Sequence, residues 1–314
     1  MRIDILKNAR PFFLADGGLE TFMIFDQGFD LPGFASWVLL ETDNGRAALA
    51  AYFDRYIALA RETGRGFVMD TPTWRAGQAW AELLERSPDA LIDINRRAVA
   101  FTTAIRTEYE TASLPIVVNG VVGPAGDGYA ADTMLSAQDA FAVHAPQVRA
   151  LAQAGVDMIS AVTMTHAGEA TGIALAAREI GIAVVISFTV ETDGRLPSGQ
   201  SIGEAIVEVD DAAGAAPIFY MINCAHPDHF REGVRTSEPW AQRIGGIRAN
   251  ASRMSHAELD AAEELDDGDP VELAHLHQEL LELLPNIRVV GGCCGTDHRH
   301  VGCIASHATR LSAA

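Results

Sequence analysis

The strongest restriction on the fold is an alternation of two patterns. Eight short apolar runs recur along the chain: FFLADGG (12–18), FVMDT (67–71), PIVVNGVV (115–122), VDMISAV (156–162), AVVISFT (183–189), IFYMINC (218–224), RIGGIRA (243–249) and IRVVGGCC (287–294). Most are continuous in apolar character, as expected of strands covered on both faces of a parallel sheet. Longer amphipathic stretches lie between them. In 46–61, Leu49, Tyr52, Phe53, Tyr56, Ile57 and Ala60 repeat at helical spacing. Ser87-Pro88, Ser136 with Asp139, and Asp269-Pro270 read as helix starts, and Gly155 and Gly181 as stops. Pro146 predicts a kink or a late start in its helix. The segment 251–270 is acidic and reads as a loop or solvated helix beside the mouth of the fold.

Eight strands alternating with helices, and no linker of biased composition, predict an α/β chain folded as one (β/α)8 barrel over 1–314. An open doubly wound sheet is the competing arrangement. It would place a glycine-rich phosphate fingerprint after its first strand. Here that strand runs into Asp16-Gly17-Gly18-Leu19-Glu20-Thr21, which does not fit G-x-G-x-x-G. Gly291-Gly292-Cys293-Cys294-Gly295-Thr296 lacks the lysine of a phosphate loop.

Charge narrows the choice of partner. Asp and Glu number 42 against 23 Lys and Arg, a net −19. That argues against a nucleic-acid partner and against docking on anionic membrane. The N-terminus shows no signal-peptide pattern, and no apolar stretch is long enough to span a bilayer, so a cytoplasmic chain is expected. Small-molecule partners remain, and nothing in the sequence sets an oligomeric state.

In a barrel, chemistry gathers at the C-terminal ends of the strands. Strand one ends in Asp16, Gly17, Gly18 and Glu20; strand two in Asp70, Thr71, Thr73 and Trp74; strand three in Asn119 and Gly120; strand six in Asn223 and Cys224; strand seven near Asn250 and Ser252; strand eight in Cys293 and Cys294. Three of the four cysteines thus share one rim, on strands separated by a single neighbour, about 10 Å apart. Three thiolates with an open fourth position suit a catalytic zinc better than a structural one, which favours four fixed ligands. Buried structural thiols, kept reduced in a cytosolic chain, are the other reading of the same residues. Cys303, a turn or more beyond, reads as core.

Taken in order, these motifs resemble the zinc-dependent homocysteine S-methyltransferase family. The resemblance runs from Asp16-Gly17-Gly18-Leu19-Glu20-Thr21 to Gly291-Gly292-Cys293-Cys294-Gly295-Thr296. It passes through Thr71-Pro72-Thr73, Gly123-Pro124, Gly155-Val156-Asp157, Ser187-Phe188-Thr189, Asn223-Cys224 and Ala249-Asn250-Ala251-Ser252. It implies that Cys224, Cys293 and Cys294 bind Zn2+, and that Asn250 lies near the metal and can fill its fourth position without substrate. It further implies that Asp16, Gly17 and Gly18 line the amino-acid pocket, with the Asp16 carboxylate on the acceptor's ammonium group. Glu20, Thr71, Thr73 and Asn119 join these as substrate contacts. The implied activity transfers a methyl group from a small sulfonium or ammonium donor to homocysteine, giving methionine.

One departure bears on the acceptor. Family members usually carry a glutamate late in strand four, where this chain has Val162. That leaves open a different thiol acceptor, or a non-catalytic zinc- or thiol-binding homologue; Glu169 or Glu191 are the loop carboxylates available as substitutes. Trp37 and Trp74 are candidate aromatic walls for a cationic donor. His298 and His300 read as first-turn residues of the last helix, capped by Thr296. His226 and His229 read as loop residues or substrate contacts, and His144 as structural.

Overall fold

A computed structural model describes residues 2–312. One strand forms at each of the eight apolar runs: β1 Phe13–Leu14, β2 Phe67–Asp70, β3 Ile116–Val122, β4 Met158–Met164, β5 Ala183–Phe188, β6 Pro217–Asn223, β7 Ile244–Ala249 and β8 Val289–Gly292. They close a parallel barrel in chain order, β8 returning to β1. This is the (β/α)8 barrel that the alternation predicts. No described helix is long and apolar enough to cross a membrane.

Two apolar layers follow from the strand pleat. Phe13, Val68, Val117, Met158, Val185, Phe219, Met221 and Val289 fill the inside of the barrel, with Leu6 from the short helix Arg2–Lys7 and Ala9 packed against them. Alternate residues such as Leu14, Phe67, Val118, Ile186 and Val290 face the helical ring. Register then sets the polar level at the opposite end: Asp70 pairs with Asn119, Asn223 with Arg248, and Arg248 with Gly291.

The helix signals act as expected. Ser87, Ser136 and Asp269 accept backbone N–H groups at the starts of the helices Pro88–Tyr109, Ala137–Ala154 and Pro270–Leu283. Gly155 and Gly181 close the helices before them at φ 99° and 79°. Two expectations need correction. Pro146 neither delays nor ends its helix, which starts at Ala137 and continues to Ala154. The Ala142 carbonyl, four residues before the proline and so deprived of its N–H donor, faces the Gln78 side-chain amide at 3.5 Å instead. Thr296 does not cap the last helix, His298–Ser312, because its hydroxyl donates to the Cys293 carbonyl at 2.7 Å. Asp297 accepts the Arg299 N–H in its place. The crossover after β6 carries the short helix Pro227–Phe230 and the 3-10 turn Pro239–Arg243. Within 251–270 the acidic segment forms a single short helix, His256–Asp260.

Candidate metal centre and adjoining cavity

The two glycine-rich motifs meet because neither has side chains in the way. A Cβ on Gly17 would stand 2.6 Å from the Thr296 carbonyl oxygen, and one on Gly18 2.6 Å from that of Cys293. The Gly18 N–H donates to Thr296 O at 3.0 Å, and the Gly292 N–H to Asp16 O at 2.8 Å. The DGG turn after β1 thereby lies directly on the turn that carries Cys293 and Cys294. From the other side the Cys293 N–H donates to Ala249 O on β7, and the Cys224 N–H to Arg248 O.

This backbone frame brings Cys224, Cys293 and Cys294 together, with all three Sγ atoms within 4.8 Å of one another. Cys224 and Cys293 are joined as a disulfide, Cα–Cα 5.3 Å, whereas the sequence reading expects every cysteine reduced. Cys294 is a free thiol that burial pushes up to about 11, against the Tyr129 hydroxyl donating to its sulfur at 3.3 Å. Cys303 is half-buried on the last helix, away from this cluster.

Side chains behind the cysteines fix their direction. Asn223 Oδ1 accepts from the Thr163 N–H at 3.0 Å and the Ser187 hydroxyl at 2.6 Å, while its amide donates to Thr163 Oγ1 at 2.9 Å. Thr163 and Cys224 both hold left-handed backbone, φ 64° and 52°, a costly state for residues other than glycine. His256 Nε2 contacts the Cys224 carbonyl at 2.8 Å, and its Nδ1 contacts Glu191 at 2.7 Å. Its ring stacks on Tyr129 at 4.0 Å.

A cavity of about 150 Å³ opens over the cysteines. Its wall includes Asp16, Gly17, Gly18, Glu20 and Thr71 from the expected set, together with Trp74 and Val162. Thr73 and Asn119 are not on that wall. Thr73 donates to the Val121 carbonyl at 2.7 Å, and Asn119 bridges Asp70 at 2.7 Å and Ser160 at 2.9 Å beneath the floor. Asn250 is buried beside the neighbouring small cavity that Cys224 and His256 also line, and its Oδ1 has no hydrogen-bond partner. Glu169 and Glu191 do not reach the main cavity wall: Glu169 is buried against His144, and Glu191 pairs with His256. Trp37 is buried, its indole donating to Arg75 O, so it is packing rather than wall. His226 caps the helix after Cys224, His229 contacts Arg253 O, and His300 is held by Asp297 and Asp267.

Three residues are absent from the sequence reading of the site. Arg248 projects from β7 and forms ion pairs with both Asp16 and Asp70, all three on the cavity wall. Asp16 is therefore engaged by a guanidinium rather than free. Burial pushes its carboxyl up to about 7, with Arg248 opposing and Asp70 adding to the rise. Tyr129 lies over Cys294, and Arg75 lies on the outer wall. Asp70 and Arg248 are the two charges that fall within the described strands, and Arg248 is the one cation, which is the signal that marks it. Glu20 is also pushed up by burial, although it accepts from Ser36 at 2.7 Å.

Comparison with known proteins agrees with this architecture. The family model for homocysteine S-methyltransferase matches residues 13–308. Among solved structures, the homocysteine methyltransferase MmuM from Escherichia coli is similar in fold. Its metallated form superposes with a TM-score of 0.76 at 18% identity, covering 98% of this chain and 99% of that one. Its oxidized form gives 0.75 at 19% identity, with the same coverage. By the span of the family match, set on a closed barrel with clustered cysteines, this chain belongs to the homocysteine S-methyltransferase family.

Proposed function

We propose that residues 1–314 act as one catalytic domain, a zinc-dependent S-methyltransferase that moves a methyl group from a small sulfonium or ammonium donor to the thiol of homocysteine, forming methionine. The observation that carries this reading is the three-sulfur cluster at the base of the cavity. Sulfur donors suit a soft cation such as zinc, and reduction of the Cys224–Cys293 pair supplies the full set of Cys224, Cys293 and Cys294. The unpartnered Oδ1 of buried Asn250 is a further oxygen donor in the same region.

Bound zinc would supply deprotonation of an added thiol at neutral pH, where a free thiol is mostly protonated. The remaining work falls to the chain. Gly17 and Gly18 line the cavity where the two turns meet, and Asp16, held by Arg248, is the carboxylate assigned to the acceptor's amino end. Tyr129 and Trp74 wall the cavity, with Asp127 and Asp260 also lining it, a setting that favours a cationic donor. In the transfer the acceptor sulfur forms the new S–CH3 bond while the donor's bond to that methyl breaks. Its electron pair stays on the donor atom, which leaves neutral. Thiolate and cationic donor neutralise each other along the path, a change favoured by a site of low polarity over water, while the acidic residues Asp127 and Asp260 draw in the cation.

Val162 on the cavity wall supports a second reading, in which the acceptor is another thiol that needs no second carboxylate at its amino end.

The test is direct. Protein prepared under reducing conditions should hold about one zinc per chain, given one three-thiolate site, and Cys294→Ser should lose most of it. It should also form methionine from homocysteine and a sulfonium donor. Full metal retention in the variant would count heavily against the cluster, and turnover of other thiols alone would select the second reading.

A further inference from the structure

Arg75 is a buried cation without an ion-pair partner among the described residues. It is 6% exposed and lies on the wall of the same cavity as the cysteines. Its guanidinium is sandwiched between two indoles, 3.7 Å from the Trp74 ring and 3.7 Å from the Trp80 ring. Both indoles are themselves fixed. Trp74 Nε1 donates to Val162 O at 3.2 Å, and Trp80 Nε1 to Pro124 O at 2.9 Å. The guanidinium plane is therefore set before any ligand arrives.

Within that plane the bonding is one-sided. Nη1 donates to Gly126 O at 3.0 Å and reaches Pro124 O at 3.5 Å. Nε is buried and has no hydrogen-bond partner. The edge formed by Nε and Nη2 is the fork that takes a carboxylate through two parallel bonds. Burial draws the arginine down to about 10, which leaves it charged at neutral pH. A buried charge whose Nε has no partner is costly in the free protein, and an anionic ligand removes that cost.

We infer that Arg75 is the specificity-determining anchor of a substrate carboxylate, held edge-on between Trp74 and Trp80 at the cavity wall. This inference rests on the methyltransferase reading for its substrates, both of which are amino acids when the donor is S-methylmethionine. It assigns recognition of the carboxyl end to Arg75, apart from the amino end assigned to Asp16.

The experiment uses two pairs of compounds on the zinc-loaded chain. One pair is homocysteine and decarboxylated homocysteine; the other is S-methylmethionine and decarboxylated S-methylmethionine. Wild type should prefer the carboxylated member of at least one pair by roughly 30-fold or more in kcat/KM, and R75Q should bring that preference to within about threefold. A thiol-pair effect places the acceptor at Arg75, and a sulfonium-pair effect places the donor there. An unchanged preference in both pairs overturns the assignment. R75K keeps a charge between the indoles but not the fork, so an intermediate preference is expected; it also carries the test if R75Q does not fold. Should no compound be methylated, the catalytic reading fails. Calorimetric titration with the same four compounds then decides the point alone: loss of carboxylate preference in R75Q supports the anchor, and equal binding within each pair by wild type refutes it.

Discussion

Arg248, on the seventh strand of the barrel, reaches to Asp16 beyond the end of the first, and the same guanidinium also takes Asp70 from the second. One cation thus ties two carboxylates into a wall that is almost wholly buried. Removing it would leave Asp16 and Asp70 facing one another without compensation. Arg248→Met should destabilise the fold by about 3–5 kcal/mol, read as a lower urea midpoint at pH 7. A double change to Arg248→Met with Asp70→Asn should recover part of the loss. A loss from Arg248→Met confined to a few tenths of a kcal/mol would mean that the carboxylates simply protonate.

That triad also shows where sequence reading stops. Strand positions were legible because each apolar run is a local pattern, and all eight strands fall inside or within two residues of the runs that predict them. The cysteines were legible because clustered sulfur ligands are a residue type that few other roles demand. Arg248 was not, because Asp16 and Asp70 lie 232 and 178 positions away and no local spacing links them. Thr73 lies past the end of the second strand and Asn119 within the third, and the bonds of their side chains to Val121 O and Asp70 follow from long-range pairing that no local spacing shows. Arg75 reads as an ordinary loop charge until Trp74 and Trp80 are seen on both of its faces.

Asn223 carries the strained corner beside the cysteines. Its bonds to Thr163 and Ser187 hold Thr163 in left-handed backbone and fix the residue before Cys224, and its amide also donates to Cys293 Sγ at 3.9 Å. Asn223→Ala leaves the Thr163 N–H buried and unpaired, at a cost of about 1–3 kcal/mol. It also frees the Cys224 corner, so bound zinc should fall together with stability. Loss of stability with undiminished metal content would show that the corner does not aim the cysteine.

The acid limb of stability should depend on His277. Burial holds its imidazole down to about 4, from an ordinary value of 6.5. Nδ1 meets Leu273 O at 2.8 Å, and Nε2 is buried without a partner, so an added proton there would find no acceptor. The folded chain binds fewer protons than the unfolded chain between those two values. The stability this contributes is fully present above about pH 6.5 and is lost as pH falls toward 4. His226, also held down to about 4 by burial, acts in the same direction. His277→Leu should remove up to about 1.4 kcal/mol per pH unit from the acid slope, measured by urea unfolding at pH 7 and pH 5. An unaltered slope would show that His277 takes its proton without penalty.

Tyr129 joins two of the proposed ligands through one stack. Its hydroxyl donates to Cys294 Sγ at 3.3 Å, and its ring lies 4.0 Å from His256, whose Nε2 contacts the Cys224 carbonyl at 2.8 Å. A hydrogen bond to a ligating sulfur orients it and lowers the cost of its negative charge. Tyr129→Phe keeps the stacked ring and removes that bond, together with the contact between its hydroxyl and the Asn250 side chain. Zinc affinity, measured by competition with a chromogenic chelator, should fall by roughly 10-fold while thermal stability of the metal-free chain stays near wild type. His256→Ala breaks the stack itself and frees the Cys224 carbonyl, so it should weaken zinc further. If both variants bind zinc as tightly as wild type, the aromatic stack does not orient the ligands, and the backbone frame of the two glycine-rich turns alone sets the metal site.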